Sequence, residues 1–131
     1  MSDWRRAGIK LAVAAIIMTA STTADACRCV SRSVQAHAKA ADAIVIADVA
    51  GFDDRRPTDR TFKVRVVKSW KARLSGPLTI LSEATTCQAD LRRGTRYLIY
   101  LKRTTGGYRT DACAGNLPAT QAKAAIAAIG R

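Results

Sequence analysis

Two cysteines one residue apart, with two more far downstream, constrain this chain more than any other feature. Cys27 and Cys29 stand as Cys-x-Cys, and their only possible partners are Cys87 and Cys113. A disulfide between Cys27 and Cys29 would close a ring around one residue, too tight for normal bridge geometry. Of the three ways to pair four cysteines, two remain, and both fasten the segment around residue 28 to the Cys87 and Cys113 regions. Each bridge would close a loop of many tens of residues, for which chain entropy gives about 4 kcal/mol apiece.

Whether the thiols oxidise depends on the compartment, and the first 26 residues bear on that. Arg5, Arg6 and Lys10 precede an uncharged apolar run over residues 11–20 (LAVAAIIMTA), followed by Ser21, Thr22, Thr23 and the small-x-small triplet Ala24-Asp25-Ala26. These are, in order, the three parts of a secretory signal peptide. The apolar run is about ten residues, half the roughly 20 a transmembrane helix needs. Cleavage is expected after Ala26, with Cys27 as the first residue of a domain over residues 27–131. The expected product has no transmembrane segment and is secreted, either extracellular or periplasmic, where disulfides are the default. Removing residues 1–26 leaves 19 Lys plus Arg against eight acids, so a net charge of +11 out of +12 belongs to the domain.

Hydrophobic periodicity then gives a mainly β fold. Residues 33–41 (SVQAHAKAA) read as a short helix capped by Ser33. Residues 43–47 form an apolar run of the kind found in buried strands, and residues 51–59, with Gly51, Pro57 and several charges, read as a loop. Phe62, Val64 and Val66 alternate with Thr61, Lys63 and Arg65 in a strand ending near Trp70. Residues 78–81, 97–101 and 108–112 supply three more strands. Pro118 opens a C-terminal helix whose Ala122, Ala125, Ile126 and Ile129 share one face. Five short strands with a helix at each end predict a five-stranded, closed or partly closed barrel of the OB type.

Little in these residues suggests catalysis. His37 is the single histidine, which excludes a His-rich metal centre, and it reads as a surface or packing residue. Asp53-Asp54 reads as a solvated loop pair. There is no Gly-rich phosphate loop, and the cysteines are committed to bridges. The chain is expected to be neither an enzyme nor a holder of a cofactor or intrinsic metal. Its charge points to polyanions: Arg55, Arg56, Arg60, Lys63, Arg65 and Lys68 crowd around the second strand, with Lys71 and Arg73 just beyond. Export, and aromatics at only 5%, turn this away from nucleic acid and toward an anionic polysaccharide or envelope surface.

The Cys27-x-Cys29-Val30 start, Gln35, Asp42-x-Ile44-Val45-x-Ala47 and Gly51 resemble the opening of the tissue inhibitors of metalloproteinases, which carry a netrin-like module on an OB-type barrel. Lys68-Ser69-Trp70-Lys71, Arg96-Tyr97-Leu98-Ile99 and Cys113-Ala114-Gly115-Asn116 extend the resemblance across residues 27–131. It implies that Cys27 pairs with Cys87 and Cys29 with Cys113. It also implies that the α-amino group and carbonyl oxygen of Cys27 chelate the catalytic zinc of a partner metalloprotease, the zinc being the partner's own. Arg28 would enter the pocket beside the scissile bond, Val30 would continue the inhibitory ridge, and residues 83–87 would flank it. The chain differs from that family in Arg28, where the animal inhibitors usually carry Thr or Ser, and in Ser31-Arg32-Ser33, where they carry prolines. The family's third disulfide in this domain and its C-terminal subdomain have no counterpart here. Those differences define an alternative: a secreted netrin-like binding module that inhibits no protease and engages polyanions through its basic face.

Overall fold

The computed structural model describes residues 14–16 and 27–130. Apart from 14–16, the expected signal peptide lies outside the described residues. No helix among those described is long and apolar enough to cross a membrane.

The first helix, α1 (Val34–Ala40), starts where Ser33 accepts a hydrogen bond from the Ala36 N–H (3.1 Å). Five strands follow: β1 (Ala43–Asp53), β2 (Asp59–Trp70), β3 (Gly76–Glu83), β4 (Arg96–Thr104) and β5 (Gly107–Arg109). A two-residue strand β6 (Leu117–Pro118), a 3-10 turn (Ala119–Gln121) and helix α2 (Lys123–Ile129) complete the order. Hydrogen bonding runs β1-β2-β3-β5-β4 and returns from β4 to β1, so five strands form a ring, with β6 pairing the start of β4 on the edge whose far end β5 occupies. The ring is uneven. β1 and β2 pair along nearly their whole length, whereas the only parallel pairing among the described residues, β3 with β5, rests on Ile80↔Tyr108 and Leu81↔Arg109.

Two apolar clusters follow from the two-residue period of the strands. Inside the ring lie Val45, Ala47 and Val49 of β1, Phe62 and Val64 of β2, Ile80 of β3, and Ile99 and Leu101 of β4. On the other face of β1 and β4, Ile44, Leu98 and Tyr100 meet Ala122 and Ala125 under the two helices. β4 is therefore covered on both faces, which is why its sequence is an unbroken apolar run instead of an alternating one.

Three expectations need correction. β1 continues through Asp53, so residues 51–53, expected in a loop, pair with β2 as Gly51↔Lys63, Phe52↔Phe62 and Asp53↔Thr61; the loop is residues 54–58. The fifth strand stops at Arg109 because Thr110 turns inward, its buried hydroxyl donating to the Tyr100 carbonyl (2.9 Å), and the chain bends toward Cys113. Pro118 opens a 3-10 turn and not the α-helix itself. It lies in β6 opposite Tyr97, an edge position that tolerates its missing N–H, and the helix begins at Lys123.

Lys71 closes the lower end of α1. It is the only non-glycine described residue with a positive φ (69°). Its ammonium donates to the carbonyls of Ala38 (2.7 Å), Lys39 (3.3 Å) and Ala41. A cation satisfying the free carbonyls of a helix end is favourable both as a hydrogen-bond donor and against the helix dipole. Lys71→Met is expected to cost about 1–2 kcal/mol, read as a lower urea midpoint at unchanged slope.

Candidate functional site

The segment from Cys27 to Ser33 is irregular and mostly exposed, with Val30 at 77% exposure, yet it is pinned at two points. Cys27 is bridged to Cys87 (Cα–Cα 4.9 Å) and Cys29 to Cys113 (5.1 Å). Of the two pairings that spacing allows, this is the one the resemblance implies. Both anchor loops are themselves held. The Cys87 N–H donates to Thr85 Oγ1 (3.1 Å), and the buried Ser82 hydroxyl accepts from the Ala89 N–H (2.9 Å). The Cys113 N–H donates to Asp111 Oδ1 (2.7 Å), and the Ala112 N–H donates to the Cys87 carbonyl (2.8 Å), joining one anchor loop to the other. Asn116 ties the second loop to β4, accepting from the Tyr100 N–H (2.8 Å) and donating to Thr110 Oγ1 (2.9 Å).

The bridges touch: Cys27 Sγ lies 3.5 Å from Cys113 Sγ. The sulfurs of Cys27, Cys29 and Cys113 all fall within 4.8 Å of one another. That spacing would suit a metal, but every sulfur here is in a disulfide and carries no thiolate charge with which to bind one. Among the described residues, no hydrogen bond engages the backbone N–H or carbonyl of Cys27. Arg28, between the two bridges, is exposed and has no acidic partner among the described residues.

The run of cations around β2 is divided by pairing. Arg60 grips Asp54 through two bonds (2.6 and 2.9 Å) and stacks over the Phe52 ring at 4.0 Å, and Arg55 pairs with Asp53 (3.2 Å). Asp53 and Asp54, expected as a solvated pair, are thus a strand-end acceptor and an arginine clamp. Arg96 grips Asp48 in the same two-bond manner (2.7 and 3.0 Å). The Arg60 hydrogen bonds hold the Asp54 carboxyl below its ordinary range, and Arg96 does the same for Asp48. Lys71 is committed to α1. Lys63, Arg65 and Lys68 remain exposed on β2, with Lys68 over the Trp70 ring at 4.9 Å, and Arg56 is exposed in the loop.

His37 packs. Its ring sits 5.7 Å from that of Tyr100 and directly against Gly115. Beside this contact is a half-open cavity of about 330 Å³, reached by Arg28, Tyr100, Leu101, Lys102, Asp111 and Ala114. Sequence reasoning missed it. Tyr100 lies inside an apolar run whose outward positions carry no mark of what covers them, and the cavity's walls come from segments some 70 positions apart.

No protein-family model matches the chain, and a search of curated proteins returns no significant match.

Proposed function

We propose that the chain is a secreted inhibitor-like domain of the kind found in the tissue inhibitors of metalloproteinases, with an OB-type barrel supporting a zinc-chelating terminus at Cys27. The observation that carries this reading is the largely exposed Cys27–Val30 segment, pinned by both bridges and with no hydrogen bond to the Cys27 backbone among the described residues. The ring order β1-β2-β3-β5-β4 with a parallel β3–β5 closure supports the OB assignment.

The chemistry follows from the first residue. A catalytic zinc keeps one coordination position open for water or substrate. When cleavage follows Ala26, the Cys27 α-amino nitrogen and carbonyl oxygen form a five-membered chelate that displaces that water. An α-amino group has a pKa near 8, so shedding its proton is easy at neutral pH. The bridges hold the segment in place before binding, which removes much of the ordering cost a loose terminus would incur. Arg28 then selects for a protease whose pocket offers a carboxylate, since an unpaired guanidinium is costly to bury.

The test is one residue of extension. Protein beginning at Cys27 is expected to inhibit a zinc metalloprotease with an acidic pocket beside its scissile-bond position. Protein retaining Ala26 should be weaker by about a hundredfold or more, because acylating the amine destroys the chelate and leaves every other surface intact. Equal inhibition by the two forms, or none by either across a panel of such proteases, overturns the reading.

A second reading has its own support in the exposed row Lys63, Arg65 and Lys68 on β2, none of which forms an ion pair among the described residues. A polyanionic polysaccharide laid along that strand would meet three cations on a rigid sheet. Retention on a heparin column should then fall when these three become Gln and stay nearly constant when the paired Arg55 and Arg60 do. The reverse pattern sinks this reading.

A further inference from the structure

The cavity beside His37 combines three features that call for the same ligand. Its walls include Ala40 and Ala114, and its mouth carries the exposed cations Arg28, Arg32 and Lys102. The one acid that reaches it, Asp111, already accepts the Cys113 N–H (2.7 Å). The third feature is Tyr100. It is 3% exposed, and among the described residues its hydroxyl has no hydrogen-bond partner. A buried hydroxyl left unpaired is destabilising, and an acceptor oxygen placed in the cavity would relieve it. Burial pushes the Tyr100 pKa upward, so the phenol remains a neutral donor throughout the physiological range.

We propose that this cavity binds a small carboxylate with an apolar body, its oxygens meeting Arg28, Lys102 and the Tyr100 hydroxyl and its hydrocarbon part lying against Ala40 and Ala114. A volume of about 330 Å³ is the room of about eleven waters, which fits a body of roughly ten non-hydrogen atoms. The size is at the lower end of ordinary ligand pockets. Guanidinium and ammonium groups bind a carboxylate through charge-assisted bonds, and the apolar wall excludes ions that carry no hydrocarbon. The inference does not depend on zinc chelation, because it uses no atom of Cys27 and its assay contains no protease.

Octanoate is the probe, with octanol and inorganic phosphate as controls, titrated into the disulfide-bonded protein and followed by backbone amide NMR shifts. Octanoate is expected to bind saturably with a Kd below about 1 mM, shifting Arg28, Ala114 and the Tyr100–Lys102 stretch, while octanol and phosphate do not saturate. Replacing Arg28 and Lys102 together by Gln should weaken octanoate about tenfold to a hundredfold. Tyr100→Phe should weaken it about tenfold while leaving the free protein equally or more stable, because the unpaired hydroxyl is gone. A purely structural Tyr100 would move stability and not affinity. Octanol binding as tightly as octanoate, phosphate binding as tightly, shifts centred elsewhere, or affinity unchanged in the double Gln variant each overturn the proposal.

Discussion

Serine at both Cys27 and Cys87 is expected to lower the unfolding free energy by about 4 kcal/mol, and serine at Cys29 and Cys113 by slightly more. The bridges span 60 and 84 residues, and closure entropy rises only with the logarithm of that span. For a domain of about 100 residues, 4 kcal/mol corresponds to a fall in melting temperature of roughly 15–30 °C. Total stabilities of such domains are about 5–15 kcal/mol, so either single loss leaves a marginal protein and reduction of both leaves little that folds. The two loops overlap, so the double loss should be less than the sum of the singles. Scanning calorimetry of the serine variants and of the fully reduced protein measures all three. An unchanged melting temperature after full reduction would mean that the strand ring stands without its staples.

Gly115→Ala should cost about 2–4 kcal/mol, for two separable reasons. Gly115 has φ +97°, a conformation that a side chain strains, and an added Cβ would lie 2.7 Å from His37 Cγ and 2.8 Å from Cδ2. The imidazole has little room to retreat, since it packs on Tyr100. His37→Ala in the same background should return the steric share and leave the backbone share. Gly94→Ala isolates the latter: its φ is +79° with nothing within 4 Å of the added atom, and about 1 kcal/mol is expected. Urea midpoints of these three variants against the parent protein give the comparison. Equal costs at Gly94 and Gly115 would remove the His37 contact from the account.

How far each element could be read from the sequence depended on what its neighbours supplied. Alternation at Phe62, Val64 and Val66 marks β2 without any partner in view, because period two alone separates its two faces. The end of β1 was not legible: Gly51, Phe52 and Asp53 look like loop residues until β2 is there to pair with them. Pro118 fits a helix start as well as an edge strand, and only the proximity of Tyr97 selects the strand. Charge behaves in the same way. Eight cations between Arg55 and Arg73 can be counted, but the gripping of Arg60 by Asp54 and the use of Lys71 as a helix clasp depend on side chains meeting across turns.

The sequence by itself determined that Cys27 and Cys29 must seek distant partners, since a one-residue ring is geometrically closed to them. It also determined the mainly β character, because apolar period is a local property of the chain. The tertiary structure decided which cysteine takes which partner, how the five strands close, and which cations stay free. It also brought Arg28, Tyr100 and Lys102 to one cavity. Those outcomes are contacts between residues tens of positions apart, selected by the packing of the whole domain, and no local pattern encodes them.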